Sequence, residues 1–108
     1  MFFEEKYLFK QKLNDNNMHI IKYTFIIPHY NCPDLLQRCL NSIPERDDIE
    51  IIVVDDNSNI DNRPSTNRNN LRIINLNETD THGAGHARNV GIMEARGKWL
   101  IFADADDY

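Results

Sequence analysis

Three of the last five residues, Asp104, Asp106 and Asp107, are aspartates, and they follow directly on an apolar run, Lys98 to Ala103 (KWLIFA). In extended backbone Asp104 and Asp106 point to the same side, about 6.5–7 Å apart, with Ala105 turned away. Two like charges held that close repel unless a cation lies between or beside them. Oxygen-only ligands suit a hard divalent ion, Mg2+ or Mn2+, whose coordination is usually completed by substrate phosphates. Asp106 and Asp104 are therefore the expected metal ligands. An isolated DxD can equally be a solvated acidic chain end; its place after a buried type of strand, with a second acidic pair after another, favours the metal.

That second pair is Asp55-Asp56, followed by Asn57-Ser58 and preceded by the apolar run Glu50 to Val54. Asp55 suits a cap for the next turn, which leaves Asp56 to accept a hydrogen bond from a ligand N–H such as the ring imide of uracil. A third polar cluster, His29-Tyr30-Asn31, follows Tyr23 to Pro28 (YTFIIP). Tyr30 can stack on a base or pack over the start of the following helix; the sequence leaves both open. His82-Gly83-Ala84-Gly85-His86 places two histidines four apart, but the glycines oppose a zinc-binding helix and no third ligand is near. Arg88 stands where a dinucleotide fingerprint would need its third glycine. A glycine turn that brings a helix start and Arg88 toward an anion fits better.

Seven segments must position these clusters. Tyr23–Pro28, Glu50–Asp55, Leu71–Leu76 and Lys98–Ala103 read as strands, the second of them apolar without interruption, as in a strand covered on both faces. A helix is expected after Asn31-Cys32-Pro33, with Leu35, Leu36, Cys39, Leu40 and Ile43 at helical spacing and Pro44 as its stop. A second is expected from Gly83 to Arg96, with Ala87, Val90, Gly91 and Ala95 suited to close packing and Gly97 as its stop. Residues 57–70, rich in Asn, Asp, Ser and Pro, read mainly as loop. The alternation predicts an α/β fold: a Rossmann-like parallel sheet, order 3-2-1-4, flanked by helices with right-handed crossovers. The three polar clusters then meet at the C-terminal strand edge, where the strand order reverses.

The 108 residues suffice for one small domain. Residues 1–20 read as an N-terminal extension, an amphipathic helix or a loosely packed segment, and 21–108 as the folded unit. A net charge of -5 opposes binding to nucleic acid through its phosphates, and no apolar run is long enough for a membrane span. The start lacks the pattern of a secretory signal. On a helix Cys32 and Cys39 would lie about 10.5 Å apart, too far for a disulfide, so reduced thiols and a cytoplasmic setting are expected. Attachment to the inner face of the membrane through the N-terminal segment is the second reading of location.

Together FIIPHYN (25–31), IIVVDDNS (51–58), GAGHARNVGI (83–92) and WLIFADADD (99–107) resemble the N-terminal half of a family 2 glycosyltransferase of the GT-A fold. The resemblance covers residues 23–108 and implies a nucleoside-diphosphate sugar donor, most often a UDP-sugar, with inverting transfer to a glycan or lipid-linked acceptor. It implies that Pro28 and Tyr30 line the uracil pocket, that Asp56 binds the base and that Arg88 lies near the nucleotide. Asp104 would contact the ribose or metal region, and Asp106 would hold the metal on the diphosphate. His29 and His86 stand where the family often has smaller residues. The acceptor site and the general base are expected downstream of Tyr108, so 21–108 is a nucleotide-sugar-binding half-domain cut after the DxD. Loss of such a base costs a factor of about 10^2 to 10^4, and the chain alone is expected to be inactive. The resemblance also leaves the edge of the fourth strand exposed, which predicts a homodimer through that edge. Two other readings are weaker. A non-catalytic nucleotide-binding or interaction module would share the fold. A Mg2+-dependent phosphoryl-transfer domain would need an aspartate after the first strand, where Pro28-His29-Tyr30 stands.

Overall fold

The computed structural model describes residues 3–5, 20–65, 68–76 and 83–104. Within them lie strands β1 (Phe3–Glu5), β2 (Tyr23–His29), β3 (Ile49–Asp55), β4 (Leu71–Asn75) and β5 (Trp99–Phe102), and helices α1 (Pro33–Asn41) and α2 (Ala84–Glu94). The sheet order is β1-β5-β2-β3-β4. Strands β5, β2, β3 and β4 are mutually parallel, in the order expected, and β1 is antiparallel to β5. The resulting α/β architecture is that of the N-terminal half of a GT-A fold.

The period-two alternation of strand side chains builds two cores. Ile27, Ile51 and Val53 pack with Leu36, Leu40 and Ile43 of the α1 segment on one face. Ile26, Ile52, Val54, Leu100 and Phe102 pack with Ala87 of α2 and with Ala95 just beyond it on the other. Every residue of β3 is buried, because this strand has neighbours on both sides and a helix layer on both faces. Each isoleucine so placed contributes about 1.5–3 kcal/mol. Leu35, read as part of the α1 stripe, is exposed. Among the described residues of 57–65 and 68–70 the chain is irregular apart from a 3-10 turn at Ile60–Asn62.

Three local expectations change. The edge of β5, expected to stand open, pairs with this chain's own β1: Phe3 lies opposite Ile101 and Glu5 opposite Trp99. The ground for a homodimer through that edge is thereby removed. The rest of the N-terminal extension, residues 1, 2 and 6–19, lies outside the described residues. Gly97 does not stop α2, which ends at Glu94 with extended backbone at Ala95. It is needed instead for close approach: a Cβ there would lie 2.7 Å from the Thr24 amide nitrogen and 2.8 Å from the Tyr23 carbonyl carbon. Backbone cannot yield as a side chain can, so Gly97→Ala should cost about 2 kcal/mol, read as a lower urea midpoint at unchanged slope. Finally, the N-cap of α1 is Cys32, with no side-chain cap; its amide finds another acceptor, described below.

The helix C-termini are held by arginines from the β4 side. Arg68 donates to the Leu40 and Ile43 carbonyls at 2.6 and 3.0 Å, and Arg72 to the Glu94 carbonyl at 2.8 Å. At the N-terminal sheet edge the buried Glu50 accepts from the Thr24 hydroxyl at 2.7 Å and from the Arg96 amide at 2.6 Å. These contacts fix the helices at the end opposite the polar clusters and leave their N-termini facing those clusters. Among the described residues no helix is long and apolar enough to cross a membrane.

Candidate functional site

From β2 the chain runs outward through β3 to β4, then returns by α2 to place β5 on the other side of β2. The strand order reverses between β2 and β5, the position at which open α/β sheets form a binding crevice. The Ala103 amide donates to the Ile26 carbonyl at 3.1 Å across this point, so the segments leaving β2 and β5 emerge side by side.

Alternation then sorts the acidic residues. In β3, Asp55 falls on the α1 face with Val53, and Asp56, one residue on, turns to the α2 side. His29 is the register partner of Asp55. Its Nδ1 lies 2.8 Å from Asp55 Oδ1, and its Nε2 lies 3.0 Å from the Cys32 amide nitrogen. Both side chains are buried, at 0% and 2% exposure. Asp55 also accepts from the Ser58 amide at 3.2 Å and from the Ser58 hydroxyl, which is the turn cap expected of it. The Asn31 amide donates to Ser58 Oγ at 2.8 Å, and the Asn59 amide donates to Asn31 Oδ1 at 2.7 Å. Asn31 and Asn57 take φ of 53° and 62°, a left-handed backbone that asparagine tolerates. The loops after β2 and β3 are thus one hydrogen-bonded unit.

Tyr30 projects from that unit at 49% exposure, so about half of the residue is open to a ligand. Asp56 stands on the neighbouring loop. Its Oδ2 accepts from the Gly83 amide at 2.8 Å and its Oδ1 from the Asn57 side-chain amide at 3.2 Å. Gly83 is the N-cap of α2, so Asp56 ties the β3 loop to that helix start. One turn further, Arg88 Nη2 donates to Asp104 Oδ1 at 3.0 Å, with side chains 34% and 47% exposed. An ion pair that open contributes about 0–1 kcal/mol. Its guanidinium can be redirected to an anion and its carboxylate to a cation at little cost.

Of the residues singled out in the sequence, Tyr30, Asp56, Arg88 and Asp104 are brought to one sheet edge, the last three on the α2 side. Pro28 is fully buried beside Val54 and offers no surface to a ligand. Asp106, with Ala105 and Asp107, lies outside the described residues, as does His82. Among the described residues no group of three His, Cys, Asp or Glu side chains converges as a metal site. Asp104 fits a hard cation by its oxygen donors and its exposure. Neither cysteine is in a disulfide. Burial pushes the Cys39 thiol up, and the Asp104 carboxylate adds to this, the direction that lowers thiol reactivity. His29 and Ser58 had no assigned role in the sequence; the signal that points to them is the equal distance of His29 and Asp55 from the ends of two adjacent apolar strands.

The family model described as Glycosyl transferase family 2 matches residues 24–108. The chain is 34% identical over 97 residues to poly(ribitol-phosphate) beta-N-acetylglucosaminyltransferase TarS of Staphylococcus aureus (strain Mu50), covering 82% of this chain and 17% of that protein. It is 35% identical over 96 residues to poly(ribitol-phosphate) beta-glucosyltransferase of Bacillus spizizenii, covering 82% and 15%. To UDP-Glc:alpha-D-GlcNAc-diphosphoundecaprenol beta-1,3-glucosyltransferase WfaP of Escherichia coli it is 35% identical over 88 residues, covering 79% and 35%. The chain therefore spans about a third or less of the length of these relatives.

Proposed function

The chain belongs to glycosyltransferase family 2, and from that premise we propose that it forms the donor side of an inverting, metal-dependent transfer from a UDP-sugar to a glycan or lipid-linked acceptor. One observation carries this reading: the exposed Tyr30, the acceptor Asp56 and the open Arg88–Asp104 pair share the sheet edge at the strand-order reversal. Tyr30 stacks on the uracil ring, and Asp56 accepts its imide N–H. Arg88 exchanges Asp104 for the diphosphate, a bidentate partner for a guanidinium. Asp104 and Asp106 hold Mg2+ or Mn2+, which when bound supplies Lewis-acid stabilisation of the leaving diphosphate.

The names of the relatives support donor and stereochemistry in part: one specifies UDP-Glc, and three specify beta products, which inversion yields from an alpha-linked donor. Two of them act on poly(ribitol-phosphate) and one on a diphosphoundecaprenol-linked sugar, in line with a polymeric or lipid-linked acceptor. Two cysteines outside any disulfide agree with a cytoplasmic setting. Transfer also requires an acceptor site and a base for the acceptor hydroxyl, which the family resemblance puts after the acidic segment. The 108-residue polypeptide alone is proposed to bind donor without transferring sugar.

Calorimetric titration of UDP in Mn2+ tests the anion contact. Arg88→Ala should raise Kd about tenfold, the loss expected for a charge-assisted hydrogen bond. Its urea midpoint should barely move, because the pair it breaks is exposed. Unchanged UDP affinity would contradict the assignment.

A further inference from the structure

We propose that His29 is a positioning residue for the donor base, holding Tyr30 and Asp56 at a fixed separation; this rests on the donor-site reading above. The ring has 0% exposure and both nitrogens are engaged. The Cys32 amide can only donate, so Nε2 is the bare nitrogen, and the ring proton sits on Nδ1 and is donated to Asp55. This tautomer is assigned from the hydrogen-bond network. With no surface and no free lone pair, His29 cannot take a proton from a substrate. Nor is His29-Asp55-Ser58 a nucleophilic triad. The Ser58 hydroxyl donates to Asp55, whereas a triad serine must give its proton to the histidine.

What remains for His29 is geometry. Its side chain holds Asp55, its carbonyl accepts the Asp56 amide at 2.9 Å, and the next residue is Tyr30. Its Nε2 ties the same point to the start of α1 through Cys32. A single residue thus fixes the backbone on both sides of the proposed base site. A carboxylate that accepts one ring N–H must be held within about 0.5 Å of its place to do so. An apolar side chain of equal bulk would fill the space and leave Asp55 and the Cys32 amide without this partner.

The experiment titrates the 108-residue chain with UDP, CDP and pyrophosphate, each in Mn2+, for the native protein, His29→Phe and His29→Asn. Cytosine offers no imide N–H to Asp56, so the native chain should prefer UDP over CDP. In His29→Phe that preference should fall about tenfold while pyrophosphate affinity stays unchanged. His29→Asn restores an N–H near the Nδ1 position and should recover part of the preference. Retention of the native preference by His29→Phe would overturn the proposal. A parallel loss of all three ligands would overturn it too, since that is the result of a merely structural role. A native chain that binds UDP and CDP equally would instead sink the base-site reading beneath it. Should His29→Phe not fold, the nitrogen NMR spectrum of the native ring decides: a bare Nε2 is expected, and a proton on Nε2 would overturn the assignment.

Discussion

Asp55→Ala should unfold or nearly unfold the chain, whereas Asp56→Ala, one residue away, should leave stability almost unchanged and weaken nucleotide binding. Asp55 is 2% exposed and accepts from His29 Nδ1, the Ser58 amide and the Ser58 hydroxyl. Truncation strips three buried donors of their acceptor. Each unsatisfied group costs about 1–3 kcal/mol. Against a total stability of about 5–15 kcal/mol, the lower end of which suits so small a domain, that loss is decisive. Asp56 is half-buried and its backbone partner, the Gly83 amide, sits on an exposed residue, where water can replace the lost acceptor. Its removal should cost less than about 1 kcal/mol. Urea melts of both variants check the contrast, and equal destabilisation would contradict the division of labour between the two carboxylates.

The second large effect concerns the metal. In the proposed site the diphosphate reaches the protein through Mg2+ or Mn2+ held by Asp106 and Asp104, with Arg88 as the one further cationic contact assigned. Asp106→Ala should therefore lower UDP affinity in Mn2+ at least tenfold, to near the affinity the native chain shows in chelator. Alanine offers the ion no oxygen in place of that carboxylate, and asparagine only a neutral one. Asp106→Asn should fall between the two. Calorimetry reads both, and equal binding by the native chain and Asp106→Ala would refute the metal assignment while leaving the base contacts standing.

Much of the architecture was legible because apolar runs report burial directly. The uninterrupted IEIIVVD of β3 marks a central strand. The small residues Ala87 and Gly91 mark the face of α2 that meets the sheet, where a Cβ at Gly91 would overlap Ile26. That the sheet is parallel followed from the alternation of strands with helices. The local reading of Asp55 as a turn cap also held, since a cap involves residues three apart.

What the sequence hid were relations between distant residues. Whether His29 meets Asp55 depends on the register of two strands whose partners are 26 residues apart, and one residue of slip would turn either side chain to the other face. The pairing of β1 with β5 joins residues nearly the whole chain apart, and three residues with two glutamates carry little strand signal of their own. Gly97 looked like a helix stop because glycine commonly is one; only the approach of the Thr24 backbone shows its use. Pro28 matched a motif position, yet its place in β2 between buried neighbours closes it to solvent.

The central claim is that the polar segments after β2, β3 and β5, with the start of α2, form one nucleotide site. Amide NMR shifts on adding UDP with Mg2+ test this most directly. The perturbed residues should be those around Tyr30, Asp56, Gly83, Arg88 and Asp104, with Glu50, Arg72 and Arg96 at the opposite sheet edge unmoved. Shifts centred on that opposite edge, or none at Tyr30 and Asp56 at saturating UDP, would contradict it.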